Sequence, residues 1–230
     1  MNSLIIGKGE VGQALFNILQ KTYHTTLRGK KEVEIGDVEF LHICYSFQEN
    51  FIEITQKYIQ QYNPKFTIIH SSVPVGTTKQ LEGNVWHSPV RGIHPNLEKG
   101  LTTFTKYIGG QYNYFIDKYF LDAGIQTSFL SSSETTEALK LWDTTQYGLM
   151  IMIQKEIYQW CKENNLNFDE VYTYPNKTYN KGYTQLDMEY VNRPILKQID
   201  GKIGGHCVIS NAKLLDSELA KLLLKQNETY

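Results

Sequence analysis

The sequence predicts an α/β protein: a parallel sheet over residues 1–130, then a helical domain over residues 131–230 built on one long helix. Three observations predict it. Short apolar runs alternate with segments of helical period through the first half. A Gly-x-Gly-x-x-Gly turn joins the first apolar run to the first helix. After Phe129 a stretch of roughly 30 residues holds no proline and one glycine, Gly148, which at 1.5 Å per residue is a helix about 45 Å long.

Each element follows from local pattern. Leu4-Ile5-Ile6 is a continuous apolar run, as in a strand buried on both faces. Gln13 to Gln20 places Ala14, Leu15, Ile18 and Leu19 at helical spacing. Tyr23–Leu27 and Val38–Tyr45 read as the second and third strands, Phe51–Tyr62 as a helix and Phe66–His70 as another buried strand. Val85-Trp86-His87 and Tyr107-Ile108-Gly109 begin later strands. Ser131-Ser132-Ser133-Glu134 is an N-cap cluster with acid in the first turn, and Leu139, Trp142, Met150, Ile153, Ile157 and Trp160 follow at helical spacing. Tyr172–Tyr183, rich in Tyr, Asn and Lys, reads as a loop. A last helix carries Leu214, Leu215, Ala220, Leu222 and Leu223.

Composition bounds the function. The chain has 230 residues, 41% hydrophobic and 20% charged, with net charge −1. That is a globular composition without the broad positive field that nucleic acid or an anionic membrane would select. No apolar run approaches the ~20 residues that span a bilayer, and the N-terminus has no basic segment of a secretory leader. Cys44, Cys161 and Cys207 are odd in number and widely spaced, so reduced thiols and a cytoplasmic location are expected, with no metal site. His87 and His94 read as polar loop residues, because no partner lies at metal spacing.

The glycine turn carries the first functional reading. Gly7 permits the tight turn, Gly9 the approach of a pyrophosphate, and Gly12 close packing of helix on strand. Its place after an apolar strand and before an amphipathic helix is the context that a Rossmann-like dinucleotide site requires. The expected acid about 20 residues on is replaced by Thr25-Thr26-Leu27-Arg28-Gly29-Lys30-Lys31. That cationic cluster suits the 2′-phosphate of NADP; alternatively Glu32 or Glu34 takes the ribose of NAD. About ten residues separate Arg28 from the next strand, so the adenosine half is abbreviated.

Four segments in order resemble the UDP-glucose/GDP-mannose dehydrogenase family, whose members oxidise the C6 alcohol of a nucleotide sugar to a carboxylate with two molecules of NAD. Ser71-Ser72-Val73-Pro74-Val75-Gly76-Thr77-Thr78 resembles its S-T-V-P-V-G-T segment, and Ser88-Pro89-Val90-Arg91 its N/S-P-E-R/F segment. Glu137-Ala138-Leu139-Lys140, with Glu156 later, is similar to its E-x-x-K helix. Ile203-Gly204-Gly205-His206-Cys207 is similar to the motif bearing its nucleophile. The resemblance implies a CH–OH oxidoreductase using NAD or NADP, with Cys207, Lys140, Ser72, Thr144 and Asn211 as catalytic candidates. It implies cofactor contacts at Gly7, Gly9, Glu10, Val11, Gly12, Arg28, Tyr45, Ser71 and Glu137, and a homodimer formed through the long helix. Arg91, His94, Asn96, Arg193 and His206 are the substrate candidates, for a sugar-like molecule.

The chemistry of those positions agrees. Glu137, Lys140 and Thr144 share one helix face, where an ammonium could stabilise a developing oxyanion. Cys207 opens a helix, where backbone dipoles favour thiolate over thiol, and a thiolate could add to a bound aldehyde. Three family helpers are altered: a glutamate is Val90, an asparagine is Thr144 and an aspartate is Asn211. A single alcohol–aldehyde step with Cys207 structural, or a cofactor-binding sensor without turnover, is therefore an alternative. The chain also ends soon after the cysteine helix, with no room expected for the family's C-terminal nucleotide-binding domain; a small substrate, or a partner subunit's surface, would replace it.

Overall fold

Leu4, Ile5 and Ile6 are all buried because the strand they form carries a layer on each side. Side chains alternate across a strand. Ile5 accordingly packs with Leu15, Ile18, Phe40, Ile68 and Phe120, while Leu4 and Ile6 pack with Leu41, Ile43, Phe51, Ile59 and Ile69. The structure is a computed structural model describing residues 1–29, 36–92, 95–205 and 207–230. Within them, β1 (Asn2–Ile6), β2 (His24–Arg28), β3 (Phe40–Ile43), β4 (Phe66–Ile69), β5 (Val85–His87), β6 (Lys106–Gly109) and β7 (Thr127–Leu130) form one seven-stranded sheet, ordered β2-β1-β3-β4-β5-β6-β7. Helices α1 (Glu10–Leu19), α3 (Leu97–Thr103) and α4 (Tyr114–Asp122) supply the Ile5 layer, and α2 (Phe51–Tyr62) the Leu4 layer.

This is the expected Rossmann-like sheet, with one correction. β6 runs antiparallel to β5, pairing Gly109 with His87, whereas the other neighbours are parallel. Burial pattern reports which residues face a core and is blind to strand direction. Among the described residues the adenosine half is short: one strand, β2, lies beyond β1, where the usual order of such folds has two. Three elements not read from the sequence, α3, α4 and β7, complete this part. Asn113 caps α4, its side-chain oxygen accepting from the N–H groups of Phe115 (3.0 Å) and Ile116 (3.3 Å).

The chain divides into two compact units, Met1–Leu141 and Trp142–Tyr230. The long helix is α5 (Ser133–Glu163), 31 residues, and the division between the two units falls inside it. In the second unit, Ile203, Val208, Ala212, Ala220 and Leu223 pack with Leu149 and Met152 of α5. Gly148 is required there, because a Cβ would stand 2.6 Å from Val208 Cγ1 and 2.7 Å from Leu223 Cδ2.

Two further readings are corrected. Tyr172–Tyr183 is helical: a π turn over Asp169–Thr173 runs into α6 (Tyr174–Gln185). Its apolar content is too low to show a period, and side-chain bonds hold it instead, with Asn176 donating to Tyr172 O (2.8 Å) and Asn180 to Arg193 O (2.8 Å). The last helix is two, α7 (Val208–Ala212) and α8 (Glu218–Asn227), the second capped by Ser217 Oγ, which accepts from Ala220 N (3.1 Å). Among the described residues no helix is long and apolar enough to cross a membrane.

Candidate functional site

The turn after β1 is built from backbone constraints. Gly7 has φ +116°, and a Cβ there would lie 2.8 Å from the carbonyl carbon of Cys44. At Gly12 a Cβ would lie 1.8 Å from Gly7 O, so helix and turn touch backbone to backbone. Gly9 differs: it is the N-cap of α1, and a Cβ there would meet nothing within 4 Å. As a glycine, this N-cap has no side chain over the first turn of α1, where backbone N–H groups point toward the turn. Glu10 and Val11 occupy that turn. A rigid glycine loop, open over Gly9 and lying at a helix N-terminus, fits a dinucleotide pyrophosphate.

Beside it, the segment after β4 is held by α5. Glu137 is buried, and its carboxylate accepts from Gly76 N (2.6 Å), Thr78 N (2.8 Å) and Thr78 Oγ1 (2.6 Å). Burial pushes this carboxyl above its ordinary value, while the three donors pull it back. Glu137 therefore braces the Ser71–Thr78 turn through the protein's own N–H groups. Ser71 is buried and donates from Oγ to Tyr45 O, and half-buried Ser72 follows it. The Tyr45 hydroxyl pairs with Thr55 Oγ1.

One turn along α5 from Glu137, Lys140 donates from Nζ to Val90 O at 2.9 Å. Val90, where the resembling segment would carry a glutamate, thus offers the lysine a backbone carbonyl. His87 is corrected from a loop residue: it ends β5, fully buried, with Nδ1 paired to Thr136 Oγ1 (2.8 Å) and Nε2 to Ser71 O (3.0 Å). Burial lowers it to about 4, so the ring is neutral. The Arg91 guanidinium lies over the Phe104 and Tyr107 rings, and exposed Asn96 is the N-cap of α3. Arg28, 3% exposed at the end of β2, lies against the Tyr58 and Tyr62 rings and donates to the Tyr62 hydroxyl.

In the second unit two altered helpers meet each other. Asn211, buried on α7, donates from Nδ2 to Thr144 Oγ1 of α5 at 3.1 Å. Cys207 is the half-buried N-cap of α7, and its carbonyl accepts from Asn211 N at 3.0 Å. Arg193 is exposed, its guanidinium 3.7 Å from the Tyr179 ring centre and 3.3 Å from Asn176 Oδ1. Glu156 lines a separate, largely apolar groove of about 640 Å³ with Met150, Ile153, Ile157, Trp160 and Pro175. His94, His206, Glu32, Glu34, Lys30 and Lys31 lie outside the described residues.

Sequence reasoning missed one polar cluster. His42 in β3, His70 after β4, Lys106 in β6 and Tyr119 in α4 are buried together on the α4 side of the sheet. The available signal was a polar residue inside a doubly buried strand, as in Phe-Leu-His-Ile.

No protein-family model matches the chain, and no curated protein matches it. Solved structures do. The UDP-D-ManNAc dehydrogenase from Pyrococcus horikoshii superposes with TM-score 0.79 at 17% identity, over 99% of this chain and 68% of that one. The Mycobacterium tuberculosis 3-hydroxyisobutyrate dehydrogenase gives 0.71 at 10% identity, over 97% and 91%. Psf3, in complex with NADP+ and 2-OPP, gives 0.60 at 11% identity, over 99% and 93%. At these identities the likeness establishes the fold: this chain has the architecture of nucleotide-sugar and 3-hydroxyacid dehydrogenases.

Proposed function

We propose that this protein is an NAD(P)-dependent oxidoreductase acting on a CH–OH group of a sugar-like substrate. The observation that carries the reading is the glycine turn, rigid at Gly7 and Gly12 and open at Gly9, at the N-terminus of α1. The bound dinucleotide would supply a hydride acceptor. Its pyrophosphate would lie against the first-turn N–H groups of Glu10, Val11 and Gly12. Glu137 would hold the Ser71–Thr78 wall of the cleft rather than touch the cofactor, since its oxygens already serve Gly76 and Thr78. Arg28, committed to two tyrosines, lends little to a 2′-phosphate, so NAD and NADP both remain within the proposal.

In this reading Lys140 Nζ exchanges its bond to Val90 O for the substrate oxygen and stabilises the negative charge that develops there. Cys207 Sγ would then add to the aldehyde carbon, the carbonyl oxygen taking a proton, and the thiohemiacetal would give its hydride to a second oxidised dinucleotide, leaving a thioester that water hydrolyses to the acid and the free thiol. A second reading, a single two-electron oxidation with Cys207 structural, is favoured by Asn211: its amide cannot take a proton and is spent on Thr144. Product stoichiometry decides between them. Incubation with a panel of nucleotide sugars, free polyols and small hydroxy acids should give reduced cofactor; two per substrate supports the first reading and one the second. No reduction of either cofactor across the panel would overturn both.

The exposed faces of Ile153 and Trp160 on α5 support a homodimer through that helix. Size-exclusion chromatography with light scattering should give a mass of twice 26.6 kDa, falling to the monomer for Trp160→Glu. A monomeric wild-type protein at all concentrations would remove the dimer.

A further inference from the structure

The buried polar cluster is a continuous chain of hydrogen bonds. Lys106 Nζ lies 3.2 Å from His70 Nδ1, His70 Nε2 lies 3.0 Å from His42 Nδ1, and His42 Nε2 lies 3.0 Å from Tyr119 Oη. Tyr119 Oη is in turn 2.7 Å from Ser3 Oγ. The chain crosses the sheet from β6 to β1 on the face covered by α4. All five residues are at most 3% exposed, so the chain is shielded along its length, and Ser3 at its end adjoins exposed Asn2.

We propose that Lys106, His70, His42, Tyr119 and Ser3 form a proton wire across the sheet, whose polarity reverses when Lys106 gains or loses its proton. The geometry at His70 provides for the reversal. Its Nδ1 faces both the Lys106 amine and Ser88 O (3.0 Å), and Lys106 Nζ donates to the same carbonyl at 2.9 Å. With Lys106 as ammonium, His70 Nδ1 accepts from it. His70 Nε2–H then donates to His42 Nδ1, His42 Nε2–H donates to Tyr119, and the tyrosine donates to Ser3. With Lys106 as neutral amine, His70 Nδ1–H donates to Ser88 O, and every later link runs the other way.

Protons balance between the two states. One leaves Lys106 for His70 Nδ1, one hops along each link, and one leaves Ser3 for water beside exposed Met1 and Asn2. Both rings stay neutral at the ends of the process and exchange tautomers.

The surroundings favour a lysine that can discharge. Burial lowers Lys106 to about 7; Lys140 of α5 pushes the same way and Cys44, after β3, opposes. At His70 burial and then the Lys106 charge disfavour a protonated ring, and the Phe120 ring of α4 lies 5.5 Å from the amine. Burial lowers His42 to about 3 and holds His70 well below its ordinary value, so neither ring keeps the proton. The wire ends on Ser88 O, two residues before the carbonyl that takes Lys140, and its existence does not depend on the oxidoreductase reading.

Imidazole nitrogen shifts of the unmodified, 15N-labelled protein test it directly. Below the Lys106 midpoint His42 and His70 should both carry their proton on Nε2, and above it both on Nδ1, reversing together. Tyr119→Phe keeps the ring and cuts the outlet, so Lys106 proton exchange should slow by an order of magnitude or more. Rings that hold one tautomer across the titration, or reverse independently, would overturn the wire. So would an exchange rate untouched by Tyr119→Phe in a folded variant.

Discussion

Gly9 and Gly12 sit three residues apart and do opposite work. At Gly12 any side chain collides with Gly7 O, so Gly12→Ala should cost several kcal/mol of stability, on the order of an overpacked core site, read as a lower denaturant midpoint. At Gly9 the space around a Cβ is open, so Gly9→Val should cost about 1 kcal/mol as a poorer N-cap, less than Gly12→Ala, and lose affinity for the dinucleotide. Equal effects of the two substitutions on stability would contradict the assignment. Glu137 is a third kind of residue, a buried acceptor of three donors. Glu137→Ala leaves Gly76 N and Thr78 N without a partner, and about 2–4 kcal/mol of stability should be lost. A loss below half a kcal/mol, by urea denaturation, would mean that the brace is dispensable.

At the scale of elements, the β3–β4–β5 region carries neutral histidines, and this sets a pH dependence. His42 and His87 titrate near 3 and 4 in the folded chain, against 6.5 when unfolded. Below 6.5 the unfolded chain binds protons that the folded chain refuses, so stability present above 6.5 is lost as pH falls toward 4. Each ring contributes a slope of up to about 1.4 kcal/mol per pH unit there. Lys106 acts in the same sense at higher pH: between about 7 and its ordinary 10.5 the unfolded chain holds the extra proton. Urea midpoints should therefore rise from pH 5 to pH 8; a flat profile would contradict buried neutral rings. These elements also show what was legible in advance. Leu4–Ile6 and Phe66–His70 were readable as strands because burial on both faces leaves unbroken apolar runs. The direction of β6 was not, since pairing geometry leaves no trace in hydropathy. The helix α6 was hidden because Asn176, Asn180 and Arg193 hold it by polar contacts that have no period.

For the whole molecule, the glycine turn was legible in the sequence and Lys140 and Cys207 could be singled out as candidates, but what surrounds them could not be read. Val90 O beneath Lys140, the Thr144–Asn211 pair and the Glu137 brace depend on residues far apart in the chain, and only the folded structure brings them together. The account stands on dinucleotide binding at the turn after β1. Nicotinamide fluorescence, titrated with NADH and with NADPH into wild-type protein and Gly9→Val, measures it most directly. Saturable binding of at least one cofactor to the wild type, with affinity lost in a folded Gly9→Val, is the predicted result. No binding of either cofactor, or identical binding by the two proteins, would contradict it.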